Sequence, residues 1–220
     1  MEEPVYEEKY KGYTIKLYPD EDPFNPRGDG ANLGVMVCFH KRYTLGDDHK
    51  INKNFFKDWA EMEQAIVNDL GAIVVLPVYL YDHGGITIST NPFGDNFDSG
   101  QVGFIYATRD SILKFYGVKE LSFELTNKDA IIELRGEVST YDDYLTGRAY
   151  GWRITKGDDD EELDSCWGYL GEWYGDGSSV KDARMAIDAW IKTELEAEQR
   201  RVTAAREVID APLVVRRSGI

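Results

Sequence analysis

Apolar and polar residues alternate loosely from Tyr6 to Tyr18, in a stretch rich in Tyr, Thr and Ile. A period of two predicts a strand or hairpin there, with Gly12 near its bend. Pro19 to Ala31 holds three prolines and reads as a loop. A second strand region is expected over Leu33 to Tyr43. The period then changes. Phe55, Trp59, Met62, Ile66 and Leu70 recur at steps of three and four. This stripe predicts a helix over Lys53 to Leu70, capped by Asn52 and stopped by Gly71. Ala72 to Tyr81 is a β-rich apolar run and reads as a central strand covered on both faces. Ile86 to Thr90 and Val102 to Ala107 are further strands, joined by the loop Asn91 to Gly100.

Helical signals dominate the second half. Thr108 can cap a short helix from Arg109 to Tyr116. Thr126 and Asp129 form a capping-box-like pair for a longer one. Its inner stripe is Ile131, Leu134, Val138, Tyr141 and Leu145, and Gly147 ends it. Gly136 weakens it by about 1 kcal/mol. Arg148 to Thr155 and Leu163 to Tyr169 read as an antiparallel hairpin. Its turn carries Asp158, Asp159, Asp160, Glu161 and Glu162. A last helix runs from Val180 to about Ile209, with Ala183, Ile187, Trp190, Ile191 and Leu195 on its inner face. Along the rest of this helix, beyond Leu195, only Val202, Val208 and Ile209 are large and apolar. Roughly 30 helical residues span about 45 Å, more than a compact domain of this size, so the second half is expected to project or to pack on a partner. Pro212 ends it, and a tail follows. The order of elements predicts an α+β fold: a mainly antiparallel sheet, helices packed on one side, and a long C-terminal helix. Residues 1–195 are expected to form a single domain, with 196–220 as the projecting helix end and tail.

Composition narrows the function classes. The chain has 220 residues, 42 % hydrophobic and 13 % aromatic, enough to build a core. The longest apolar run, Ala72 to Leu80, is broken by Pro77 and is too short to cross a membrane as a helix. The acidic start Met1-Glu2-Glu3 lacks the features of a signal peptide. Two cysteines, Cys38 and Cys166, make neither a disulfide framework nor a zinc motif. They read as reduced thiols, and the location expected is the cytoplasm of a host cell. The formal charge is −15. Eight basic and seven acidic residues from Val180 to Ile220 give +1, which leaves −16 on residues 1–179. Such a chain is repelled by polyanions, so neither tight direct nucleic-acid binding nor attachment to an anionic membrane is expected. An acidic surface of this kind can compete for a protein that normally binds nucleic acid.

Several polar residues are candidates for chemistry. Asp82-His83-Gly84-Gly85 follows the central strand, where a loop at a strand end often carries function. His83 can serve as a general base, or with Asp82 and another carboxylate as a metal ligand. Asp95, Asp98, Ser99 and Gly100 occupy the next loop. Asn32, His40, Tyr43 and Asp47 surround the second strand, where His40 and Tyr43, three apart, would face opposite sides of a regular strand. Strand ends bring distant loops together. The expectation is therefore that Asp82, His83 and Asp98 share one rim with His40 and Asp47, giving two imidazoles and three carboxylates. Cys166 beside Trp167 is expected to be a buried, inert thiol. The sequence specifies no metal or cofactor.

The strings Pro26-Arg27, Asn32-Leu33-Gly34, His40, Tyr43-Thr44-Leu45-Gly46-Asp47, Asp82-His83, Asp98-Ser99-Gly100-Gln101-Val102-Gly103 and Asp164-Ser165-Cys166-Trp167-Gly168 resemble the pattern of a family of proteins carried by phages, prophages and plasmids. The likeness runs from about Tyr13 to Leu170. Gly30-Ala31 and Phe97 depart from it, standing where the family pattern has Trp-Asp and Trp. The resemblance implies a mobile-element origin and brings no activity, fold or ligand with it. Two functions follow as expectations. One is an accessory, anti-defence protein that binds a host or defence protein, in one form as an acidic mimic of nucleic acid. The C-terminal helix also offers a surface for homo-oligomerisation. The other is a small hydrolase-like enzyme acting on a nucleotide or small molecule through His83, Asp82, Asp98 and His40, with metal dependence open.

Overall fold

The computed structural model describes residues 3–28, 31–94, 97–121, 127–157, 161–174 and 178–210, with backbone only for 207–210. The expected cap Thr126, Asp95, Asp158 to Asp160 of the acidic turn, Gly30, and Pro212 with the tail lie outside the described residues.

The elements run β1 (Tyr6–Tyr10), β2 (Tyr13–Pro19), β3 (Val35–Cys38), α1 (Trp59–Leu70), β4 (Ala72–Asp82), β5 (Ile86–Ser89), β6 (Ser99–Thr108), α2 (Arg109–Tyr116), α3 (Asn127–Leu145), β7 (Ala149–Lys156), β8 (Glu162–Leu170) and α4 (Ser179–Asp210). The fold is α+β, with antiparallel strands and a long C-terminal helix. Among the described residues the strands form two sheets where one was expected, ordered β1-β2-β7-β8 and β3-β6-β4-β5. The chain divides into two compact units. One comprises Met1–Tyr18, Gly151–Cys166 and Trp173–Ile220; the other comprises Pro19–Tyr150 and Trp167–Glu172.

In the first unit β1 and β2 form a hairpin in register Tyr10↔Tyr13. Tyr13, Ile15, Leu17 and Tyr18 of β2, Trp152 and Ile154 of β7, and Val180, Ala183 and Ile187 of α4 are its buried apolar side chains among the described residues. Polar clasps tie α4 to β1 and its turn. Arg184 donates to both carboxylate oxygens of Glu8 at 2.9 and 2.5 Å, and Lys11 Nζ donates to Asp188 at 2.7 Å. The inner face thins past Trp190. From Lys192 to Arg206 every residue except Ala197 is exposed, Leu195 at 59 %.

In the second unit β4 is central, between β6 and the short edge strand β5. Alternation along β6 puts Phe104 and Tyr106 in one core with Met62 and Ile66 of α1, and Ile105 and Ala107 in another with Leu134, Val138 and Tyr141 of α3. Helices therefore cover both faces of this sheet, where one covered side was expected. Both faces of β4 and β6 are apolar, and each needs a layer. The helix expected over Lys53 to Leu70 is shorter. Asn52 accepts from Asn54 N and caps only a 3-10 turn, while Asp58 accepts from Glu61 N and caps α1. Phe55, placed in the apolar stripe by its spacing, lies before that cap and is 80 % exposed.

Candidate functional site

The β4–β5 turn, the start of β6 and the segment after β3 meet at one end of the second sheet. Tyr81 of β4 pairs with Ser99 of β6, and Asp82 N donates to Asp98 O at 2.9 Å. This register carries His83, just past β4, to Asp98, just before β6: His83 Nδ1 and Asp98 Oδ2 lie 2.9 Å apart. The pair is open to solvent, with side chains 71 % and 41 % exposed. Tyr81 stacks on the His83 ring at 6.0 Å between centroids.

His40 comes from the other side. The chain leaves the sheet after Cys38, so the expected strand to Tyr43 is cut short and the alternation argument fails there. His40 and Tyr43 do not face apart but stack at 4.9 Å with an interplanar angle of 12°. The Arg42 backbone N–H donates to His40 Nδ1 at 3.3 Å. The Arg42 guanidinium bonds Asp82 Oδ2, and Tyr43 OH donates to Asp82 Oδ1 at 3.5 Å. His40, Arg42, Asp82, Phe97, Asp98 and Ser99 line a depression of about 330 Å³.

Asp47 does not join this rim. With His40 it borders a neighbouring depression of about 510 Å³, but its carboxylate is engaged elsewhere. Arg27 grips it with Nε at 2.8 Å and Nη2 at 2.5 Å, and Met36 N donates to it at 2.8 Å. Among the described residues no three His, Cys, Asp or Glu side chains come together to hold one metal ion. The expected set of two imidazoles and three carboxylates is not assembled, because the Asp47 carboxylate is taken up by Arg27 and the Met36 N–H.

That interior group explains much of the motif spelling. Arg27 Nη1 donates to Glu137 Oε2 at 2.8 Å and Nη2 to Gly34 O at 2.7 Å. Glu137 Oε1 accepts from Leu33 N at 2.5 Å and Gly34 N at 3.3 Å. Asn32 Nδ2 donates to Pro26 O at 2.8 Å. Burial works against the Arg27 charge, but the Asp47 and Glu137 carboxylates outweigh it and hold the guanidinium pKa above its ordinary value. Two carboxylates meet one guanidinium, so a negative charge is left over for backbone N–H groups to stabilise. Burial accordingly pushes the Glu137 carboxyl up, with Arg27 and the Gly34 and Leu33 N–H groups opposing. The brace fastens Pro26-Arg27, Asn32-Leu33-Gly34 and Gly46-Asp47 to α3. Gly34 is required by space as well: a Cβ there would run into Leu134 and come within 2.9 Å of Ile105.

Asp142, also on α3, was missed by sequence reasoning together with Glu137. It accepts from Thr87 Oγ1 at 2.6 Å, Ile88 N at 2.7 Å and Arg148 Nη2 at 2.8 Å, and so holds the edge strand β5. Comparison with family models, curated proteins and solved structures finds no match to this chain.

The cysteines differ from expectation. Cys166 on β8 is exposed and its neighbour Trp167 is 39 % exposed, so the buried thiol beside a core Trp is not found. Cys38 is the buried one, and burial pushes its thiol up to about 12. A disulfide-exchange reagent at a pH of about 8, below the ordinary cysteine value near 8.5, should titrate one thiol per native chain and two after denaturation. Two rapid equivalents from the native protein would contradict this burial of Cys38.

Proposed function

We propose that the chain is a binding protein, an accessory factor of the phage or mobile-element kind that acts by contacting a host or defence protein in the cytoplasm. The observation that carries this reading is the outer half of α4. From Lys192 to Arg206 the helix is exposed nearly all round, including Leu195 and Val202, and contributes no buried large side chain. An exposed helix of mixed polarity gains little from its own fold and is available for association. The −16 charge of residues 1–179 selects a partner with a basic face, such as a nucleic-acid-binding protein, for which an acidic surface is a substitute ligand.

Deleting residues 200–220 should move the melting temperature by less than about 2 °C. Full-length and truncated chains then serve as baits in host extract at low and high salt. A basic nucleic-acid-binding protein retained by the full chain, released by salt and lost with the truncation is the expected result. Equal capture by both chains, or unfolding of the truncated one, would refute the role given to α4.

A second reading is favoured by the His83–Asp98 contact. An imidazole oriented by a carboxylate beside a depression is the arrangement of a general base, and it suits a small hydrolase-like enzyme.

A further inference from the structure

We propose that the outer edge of β1 is a docking strand for a second copy of this chain, which adds its own β1 antiparallel across a two-fold axis at Glu8. The sheet β1-β2-β7-β8 then continues into that of the second copy through the two β1 strands. The interface does not use the outer half of α4 and does not rest on the role given to that helix above.

β1 presents an uncovered edge. Lys11 (φ 49°) and Gly12 (φ 86°) make a two-residue turn between the paired residues Tyr10 and Tyr13. Such a turn closes on a hydrogen-bonded pair, and hydrogen-bonded and non-hydrogen-bonded pairs alternate from there. Tyr10, Glu8 and Tyr6 therefore bond to β2, while Lys9 and Glu7 turn their N–H and C=O groups outward. Among the described residues no strand lies beyond β1, and no backbone bond reaches those outward groups. The other edges are managed differently. Asp47 takes the Met36 N–H of β3 and Asp142 takes the Ile88 N–H of β5. In β8, Gly168 stands at φ 89° and its N–H is taken by Asp20 at 3.0 Å. An uncovered edge is a template for strand addition.

The spelling of the edge selects a copy of itself. Tyr6-Glu7-Glu8-Lys9-Tyr10 is self-complementary about Glu8 when two copies run antiparallel. The two-fold axis sets Glu7 opposite Lys9 of the second copy, and Lys9 opposite its Glu7, on the exposed face. Opposite charges directly across strands attract and like charges repel. Glu7 is already in register with Lys16 of β2, so the signs alternate from β2 through both copies of β1. On the other face Tyr6 meets Tyr10 of the second copy, an aromatic cross-strand pair. Tyr6 already packs on Trp173 at 4.9 Å between centroids, so the added ring extends an aromatic row.

Glu8 opposite Glu8 is the like-charged contact, and each carboxylate is already balanced. Arg184 donates to both of its oxygens, and Tyr6 OH donates to Oε2 at 2.6 Å. Repulsion between two chains of −15 is screened beyond about 8 Å at physiological salt, whereas the edge pairs are in contact. Five residues a side make a small interface, so the dimer is weak and forms at micromolar concentrations and above.

The test is sedimentation equilibrium of the full chain from about 1 to 200 µM in about 150 mM salt. The mass should rise with concentration from 25.0 kDa toward twice that value. Glu7→Lys and Lys9→Glu should each weaken the dimer at least about tenfold, because each sets like charges across the axis. Mixing these two variants in equal amounts should restore it, since opposite charges then face at both positions. Lys9→Pro removes an N–H that β2 does not use and should abolish the dimer with an unchanged circular dichroism spectrum. If that variant does not fold, the mixing experiment decides alone. A chain that stays monomeric over the whole range overturns the proposal. So does a mixture that fails to restore the dimer. A dimer indifferent to these substitutions but lost on deleting residues 200–220 assigns association to α4 instead and likewise overturns it.

Discussion

Arg27→Ala should cost the protein about 3–5 kcal/mol of stability, the range seen when one partner of a buried ion pair is removed. The guanidinium is the common counter-charge of Asp47 and Glu137 and the donor to Gly34 O. Without it, the buried Glu137 carboxylate and the half-buried Asp47 carboxylate face each other's field with only N–H groups of Leu33, Gly34 and Met36 for company. Glu137→Gln removes the surplus negative charge and can keep an oxygen toward Leu33 and Gly34, so it should cost clearly less. Urea denaturation followed by circular dichroism measures both. An Arg27→Ala midpoint within experimental error of the parent would show that the brace does not hold the second unit together.

Gly103→Ala is expected to have a comparable effect by a different route. A Cβ at that position would overlap the Val37 carbonyl oxygen and approach Cys38 Cα to 2.9 Å. Both obstacles are backbone of the paired strand, in register Cys38↔Gly103, and neither can rotate away. The cost should be about 4 kcal/mol or more, in the class of substitutions that break a single close approach. Because β3 leads into His40 and Arg42, its displacement should also disturb the stacking of His40 on Tyr43. The variant should be unstable or insoluble; a folded Gly103→Ala protein with unchanged thermal stability would mean that β3 and β6 are spaced more widely than described.

The amphipathic elements were legible in the sequence because their burial follows a period. Leu134, Val138 and Tyr141 sit in the core at the spacing that marked them. The same stripe contained a clue that periodicity alone discarded. Glu137 lies three residues after Leu134 and four before Tyr141, on the inner face of α3, and is buried. An acid on the inner face requires a cation opposite, and Arg27, the basic residue in an otherwise acidic, proline-rich loop, was the candidate. No local rule joins positions 110 residues apart, so the pair emerges only from the fold. The His83–Asp98 contact was easier to foresee, since sequential strands in one sheet bring their ends together. Asp47 misled for the converse reason. Its residue type suits a site as well as a brace, and the choice depends on Arg27, which spacing does not locate. Cys166 and Phe55 show the limit of reading neighbours: a Trp beside a cysteine and a phenylalanine at helical spacing both suggested a core, and both residues face solvent.

The connectivity of the first sheet bears on how the chain is made. Strands β2 and β7 are neighbours in that sheet, yet β2 ends at Pro19 and β7 begins at Ala149, with the whole of the β3-β6-β4-β5 sheet and its helices between them. At synthesis rates of about 5–20 residues per second, the β1–β2 hairpin leaves the ribosome on the order of ten seconds before its partner strand exists. A hairpin alone is marginal in water. Tyr13, Ile15 and Leu17 therefore spend that interval without their final cover, while β3 to α3 can already condense. Completion of the outer sheet then closes a loop that folding of the inserted segment has largely shortened, which lowers the entropic cost of joining its two ends. Biosynthesis thus favours a nested order, inner segment before outer, and makes the N-terminal hairpin the part of the nascent chain most in need of protection from aggregation.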